Sequence, residues 1–136
     1  MIYQLVNYLK TKFPTVSFYA NVFYKKSTEK FPPDKGVLVK ETGGGDQPWS
    51  RFATPTIQVF VRDISVTSAR KISNDIFEDL HSRFGLELGT VTVDGVVYPK
   101  ITTAQIKAIQ RPYCIGVDEQ GRADFVTNYQ FVLDES

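Results

Sequence analysis

Apolar and polar positions alternate strictly through residues 123–133, with Phe125, Thr127, Tyr129, Phe131 and Leu133 sharing one parity. Successive side chains of an extended chain point to opposite faces, so this run predicts a long half-buried strand. A different period opens the chain. Ile2, Leu5, Val6, Leu9 and Phe13 recur at helical spacing, which predicts a short amphipathic helix over 2–12, ended by Pro14. Val16, Phe18, Ala20 and Val22 then line one side of a strand, and residues 24–35, with Pro32-Pro33, read as an exposed loop. A second strand over 36–41 leads to a loop over 42–53 that carries Gly43-Gly44-Gly45-Asp46 and Trp49. Pro55 opens a third strand, with Ile57, Val59 and Val61 on one face.

The clearest helical stripe is Val66, Ala69, Ile72, Ile76, Phe77, Leu80 and Phe84, with Ser65 or Asp63 placed to cap its start and Gly85 its stop. Lys71 with Asp75, and Asp79 with Arg83, form i,i+4 pairs on its wet side. A hairpin follows, 88–93 and 96–98 joined by Asp94-Gly95, a pair suited to the tight turn whose twist matches the strands. Residues 101–110 read as a strand and 111–122 as a polar, glycine-marked turn before the closing strand. The order α-β-β-β-α-β-β-β-β predicts an α+β fold: a mixed or antiparallel sheet packed against one long helix, plus the short N-terminal helix. With no repeat or linker, residues 1–136 read as a single domain.

Composition narrows the function classes. The chain is 42% hydrophobic and 13% aromatic, ordinary for a folded domain. One cysteine, Cys114, precludes an internal disulfide, and the simplest expectation is a buried or half-buried thiol in a reducing compartment. No run reaches the ~20 apolar residues needed to cross a bilayer, and residues 1–13 lack the basic leader of a signal peptide. A soluble protein of the cell interior is expected, without membrane partners. The net charge of +1 argues against a chain built chiefly to grip nucleic acid. Residues 1–40 hold seven lysines against Glu29 and Asp34, or +5, leaving −4 for the remainder. That asymmetry can orient the chain against a partner or a copy of itself.

Catalytic chemistry is poorly supplied. The triple glycine lacks the Gly-Lys-Ser/Thr ending and following helix of a phosphate loop, so a mobile loop is expected. His81, the sole histidine, excludes a histidine metal cage. Asp79 and His81 stand two apart on one helix and diverge, a poor basis for a triad. Asp118, Glu119 and Asp124 lack calcium-loop spacing, which favours an internal contact with Arg122. Trp49, in a Gly/Pro-rich loop, either folds onto the core or docks on a partner. The expectation is no enzyme, no cofactor and no metal.

Several stretches carry a family likeness, in one order across almost the whole chain. They are Lys40-Glu41-Thr42-Gly43-Gly44, Pro55-Thr56-Ile57-Gln58-Val59-Phe60-Val61-Arg62, and the helix positions Ala69, Ile72, Ile76 and Leu80-His81. The remainder are Ile106-Lys107-Ala108-Ile109-Gln110-Arg111-Pro112, then Gly116-Val117-Asp118-Glu119-Gln120-Gly121-Arg122, followed by the aromatic strand 125–132. Together they resemble the minor capsid or tail-terminator proteins of long-tailed phages. The lysine-rich insert 25–30 and the third glycine, Gly45, depart from the pattern. The resemblance implies a non-enzymatic virion component, made in the host cytoplasm. It would form a homo-oligomeric ring, typically a hexamer, that caps the head-proximal end of the tail tube. Its partners would be the tail-tube protein on one face and a head-completion or neck protein on the other, with DNA passing through the channel. Loops on a rigid scaffold carry such contacts, which singles out Lys25, Lys26, Lys30, Glu41, Asp46, Trp49, Arg51, Asp118, Glu119 and Arg122. The rival readings are a head-completion adaptor of the same virion and, from another class, a small single-strand nucleic-acid-binding domain that would present basic and aromatic groups.

Overall fold

The computed structural model describes residues 1–21, 34–46 and 52–134. The elements run α1 (Ile2–Lys12), β1 (Phe18–Ala20), β2 (Gly36–Asp46), β3 (Phe52–Asp63), α2 (Val66–Leu80), β4 (Arg83–Phe84), β5 (Glu87–Leu88), β6 (Val91–Val93), β7 (Val96–Tyr98), β8 (Ile101–Ala108), β9 (Tyr113–Val117) and β10 (Ala123–Asp134). An eight-stranded sheet follows the order β1-β2-β3-β10-β8-β4, with β5 also on β8 and β9 also on β10, while β6 and β7 form a separate pair. The sheet is mixed because β1 runs parallel to β2 and the other pairings are antiparallel.

Register explains where the core lies. Val37 pairs with Val61, which pairs with Phe125, and Val39, Val59 and Thr127 form the next row. Directly opposed residues share a face. All six are buried, as are Tyr129, Phe131 and Ile106 of the same face. Both helices lay their apolar stripes on it: Ile2, Leu5, Val6 and Leu9 from α1, and Ala69, Ile76, Phe77 and Leu80 from α2. Polar contacts mark the opposite face, where Gln58 Nε2 donates to Asn128 Oδ1 at 3.3 Å and Arg62 Nε meets Asp124 Oδ1 at 2.8 Å.

The expectation of one long helix is overturned. This is a mostly-sheet α+β protein with two short helices, of 11 and 15 residues. The second starts as its caps predict, with Ser65 Oγ accepting from the Ser68 amide and Asp63 Oδ1 from the Ser65 amide. It stops early, at Leu80, because His81 turns extended and Ser82 takes a positive φ of 61°. Phe84 therefore belongs to β4 on the sheet edge, paired with Gln105, and is exposed. Leu88 likewise pairs with Ile101 of β8, so the Asp94-Gly95 hairpin spans only Val91 to Tyr98.

The glycine loop is also corrected. β2 and β3 stay paired through Gly43↔Thr56, Gly44↔Pro55 and Gly45↔Thr54, after a register shift between Glu41 and Gly43. Gly43 has a φ of 100°, a conformation that glycine adopts without strain, so the run serves a bulged strand rather than a loop. The larger departure is β9. The expected turn over 111–122 contains this five-residue strand, paired with the start of β10.

A single carboxylate ties the helices together. Tyr8 of α1 donates its hydroxyl to Asp79 Oδ2 at 2.8 Å. Lys12 Nζ and Arg83 Nη1 stand 3.7 and 3.6 Å from Asp79 Oδ1, and the Asp79 side chain is only 8% exposed. Hydrogen bonds to charged groups contribute about 1.5–3 kcal/mol. Asp79→Ala is thus expected to cost roughly 2–3 kcal/mol, read as a lower denaturant midpoint with an unchanged m value. Burial and the Asp79 hydrogen bond raise the Tyr8 pKa, and burial pushes Tyr129 up strongly. A raised pKa stabilises the fold below the ordinary tyrosine range near 10, and that stability is lost as pH climbs through the folded values. In a phenolate absorbance titration, Tyr8 and Tyr129 should ionise late, and Tyr8→Phe and Tyr129→Phe should each remove a late component.

Candidate functional site

β8 and β9 lie on the same side of β10, one after the other. Tyr129 pairs with Ala108 of β8, and Val126 pairs with Tyr113 of β9. Between them the chain leaves the ladder: the Ile109 amide still donates to Asn128 O at 2.7 Å, and Gln110, Arg111 and Pro112 have no strand partner. β4 and β5 cover the outer side of β8, but among the described residues nothing pairs with the outer side of β9. All five β9 residues are exposed. Tyr113, Ile115 and Val117 are 50%, 52% and 57% exposed, and neighbouring Ile109 is 56%. A second register shift falls between Asp124 and Phe125, so that Gly116 faces Asp124, Cys114 faces Phe125 and Ile115 is the extra residue. An extra residue in a bulge is left unpaired and its side chain re-aimed.

The β9–β10 turn is built by Asp118. Its amide donates to Arg122 O at 2.9 Å, and its carbonyl accepts from the Gly121 amide at 3.0 Å. Its carboxylate accepts from the Gln120 and Arg122 amides at 3.0 and 2.9 Å, while Arg122 Nε meets Oδ2 at 2.7 Å. Gly121, at φ 78°, supplies the left-handed position with which such a hairpin re-enters its strand. Arg122 is 6% exposed, so it is a structural partner of Asp118 rather than an outward contact. Glu119 stays exposed at the tip.

The remaining sequence-selected residues do not gather there. Glu41 is exposed on β2, its amide held by Asn21 Oδ1 at 3.1 Å. It pairs with Ile57, six positions along β3 from the Asp63↔Ala123 row beside the turn, roughly 20 Å away at the rise of a strand. Asp46 closes the β2–β3 ladder opposite Ala53. Lys25, Lys26, Lys30, Trp49 and Arg51 lie outside the described residues.

The groups weighed for chemistry have structural roles. His81 Nδ1 accepts from the Ala108 amide at 3.1 Å, and its ring stacks on Phe77 with centroids 4.8 Å apart. Asp79 bonds Tyr8 instead of serving His81. Cys114, expected buried or half-buried, is exposed, with Sγ 3.7 Å from Gly116 O. No group of three metal-ligating side chains occurs among the described residues, and no helix there is long and apolar enough to cross a membrane. A cavity of about 430 Å³ opens between the 13–17 turn and α2, where Lys71 Nζ pairs with Asp75 at 2.9 Å. Sequence reasoning missed β9, although Tyr113, Ile115 and Val117 alternate; Pro112 and Gly116 signal a loop just as strongly.

The turn makes a pH-dependent element. Hydrogen bonds from the Arg122 backbone, Arg122 side chain and Gln120 backbone hold the Asp118 pKa below its usual carboxylate range. A depressed pKa supplies stability that is present above the unfolded value near 3.9 and lost as pH falls through the folded value. Amide protection at Gln120 and Arg122, followed by NMR, should therefore survive to lower pH than an ordinary carboxylate allows and then collapse. Asp118→Asn should abolish that acid transition.

No family model matches the chain, and no curated protein matches it.

Proposed function

We propose that the protein is a non-enzymatic assembly subunit of a tailed-phage virion, which caps the head-proximal end of the tail tube as a ring. The observation that carries the reading is β9, a bulged sheet edge with Tyr113, Ile115 and Val117 exposed. Contiguous exposed apolar side chains are characteristic of surfaces that become covered by a partner. The segment is anchored on one side by the central strand β10 and at one end by the Asp118–Arg122 turn. It therefore presents its side chains from a fixed backbone, which lowers the ordering cost of association. The resemblance of 116–122 and 125–132 to tail-terminator proteins falls on this same hairpin, that of 106–112 on the end of β8 and the break that precedes the hairpin, and both support the virion assignment. Ring closure requires a head-to-tail contact between unlike surfaces of neighbouring copies. One face of the ring would meet the tube protein and the other a head-completion or neck protein, with DNA passing through the channel.

The test is mixing with purified tube protein, followed by light scattering and electron microscopy. Rings on tube ends and a sharp tube length are expected, and virions lacking the protein should show overlong or headless tails. Persistent monomer in the presence of tube protein would sink the assignment. Capture by portal-side head protein instead of tube protein would move the role to the neck.

A further inference from the structure

Lys71, Ile72 and Asp75 recur at helical spacing on α2, so they share one side of that helix and border the cleft of about 430 Å³ beside the 13–17 turn. The apolar wall of this cleft is Phe13, Val16 and Ile72, which pack against the core yet stay only half-buried. Its floor comes from the ends of β2 and β3. Gly36 pairs with Arg62, so Lys35 and Asp63 are the next positions along the two strands, and both line the cleft. Opposed positions of an antiparallel pair place Cβ atoms about 4.5–5.5 Å apart, close enough for unlike charges to meet. Here they do not join. Asp63, 5% exposed, accepts from the Ser65 amide through Oδ1 at 2.9 Å, and Oδ2 has no donor among the described residues. Lys35 is exposed and has no carboxylate partner among them. A nearly buried carboxylate oxygen left without a donor is costly. Lys71, by contrast, is neutralised by Asp75 at 2.9 Å. The cleft therefore offers one unsatisfied anion at its floor, one unsatisfied cation beside it, and an apolar wall.

We infer that this cleft binds a free α-amino acid with an apolar side chain. The ligand ammonium donates to Asp63 Oδ2, the ligand carboxylate accepts from Lys35 Nζ, and the side chain packs on Phe13, Val16 and Ile72. An ammonium and a carboxylate carried on one carbon are spaced to meet two neighbouring side chains at once. Charge selects this class over its alternatives. Lys35, Lys71, Asp63 and Asp75 sum to zero, so a simple amine is repelled by Lys35 and a simple acid by Asp63, while a zwitterion gains at both ends. A residue inside a peptide carries neither charge. The volume lies within the roughly 300–1,000 Å³ of small-molecule sites, and the apolar wall with a few polar groups matches their make-up. The site belongs to the chain by itself and does not rest on the tail-tube reading, since its test contains no tube protein.

Leucine titrated into the full chain, followed by amide NMR, should give saturable shifts at Ser17, Gly36 and Ser68, which border the cleft. Leucinamide, which lacks the carboxylate, and isocaproate, which lacks the ammonium, should each bind at least about tenfold more weakly, the loss of one charged hydrogen bond. Asp63→Asn keeps an oxygen for the Ser65 amide and should cost leucine about tenfold. Lys35→Gln, at an exposed position, should weaken leucine by a similar factor and leave leucinamide unchanged. Should Asp63→Asn fail to fold, the three ligands on the unaltered chain and Lys35→Gln still decide the matter. No saturable shift with leucine up to about 20 mM, leucinamide or isocaproate bound as well as leucine, or leucine binding indifferent to Lys35→Gln would each overturn the amino-acid site.

Discussion

β10 is hydrogen-bonded on both sides, and that ladder fixes the position of everything else. Its pairing with β3 runs from Ala123↔Asp63 to Asp134↔Phe52. Its other side is shared in sequence by β9 and β8. A slip of one residue along such a strand would move Phe125, Tyr129 and Phe131 from the core to the opposite face. Their burial therefore specifies the register, and the register in turn aligns β3, β2, β8 and β9. The uncovered edge follows from the same arrangement. β4 and β5 pair beside β8, while the break over 109–112 leaves β9 further along β10 without an outer strand among the described residues.

The two faces of the sheet are put to different uses. One carries the apolar rows beneath both helices, which also meet through the Tyr8–Asp79 hydrogen bond. That bond joins residues 71 positions apart, so it ties the start of the chain to its middle. The other face carries cross-strand contacts such as Thr42 with Thr56 at 2.7 Å and Gln58 with Asn128. A sheet with only one dry face needs few helices to cover it. This is the physical reason that two short helices suffice where the sequence suggested a long helix beside the short N-terminal one.

Within the β9–β10 hairpin, internal bonding and outward chemistry are divided between neighbouring residues. Asp118 and Arg122 satisfy each other and the turn backbone. Glu119 stays exposed at the tip and Arg111, on the other side of the apolar strand, lies over the Phe77 ring. The proposed assembly role depends on that division, because a rigid turn holds the edge open and the edge side chains are not satisfied within the chain.

Much of this was legible in the amino-acid order. Period alone gave α1 at 2–12, the start of α2 with its Ser65 and Asp63 caps, the Asp94-Gly95 turn and the closing strand, since these depend on local spacing and capping. The Arg122–Asp118 contact could be read as well, being four residues apart. What local order could not supply was the competition between distant segments. Phe84 satisfies the helical period of α2, yet it sits on β4 because β8 offers a ladder partner at Gln105. Gly43, Gly44 and Gly45 look like loop, yet β3 lies alongside and pairs with them. Tyr113–Val117 looks like turn, yet β10 has an open side there. In each case another strand supplied hydrogen-bond partners that the segment's own pattern does not record, and only the tertiary structure decided the outcome.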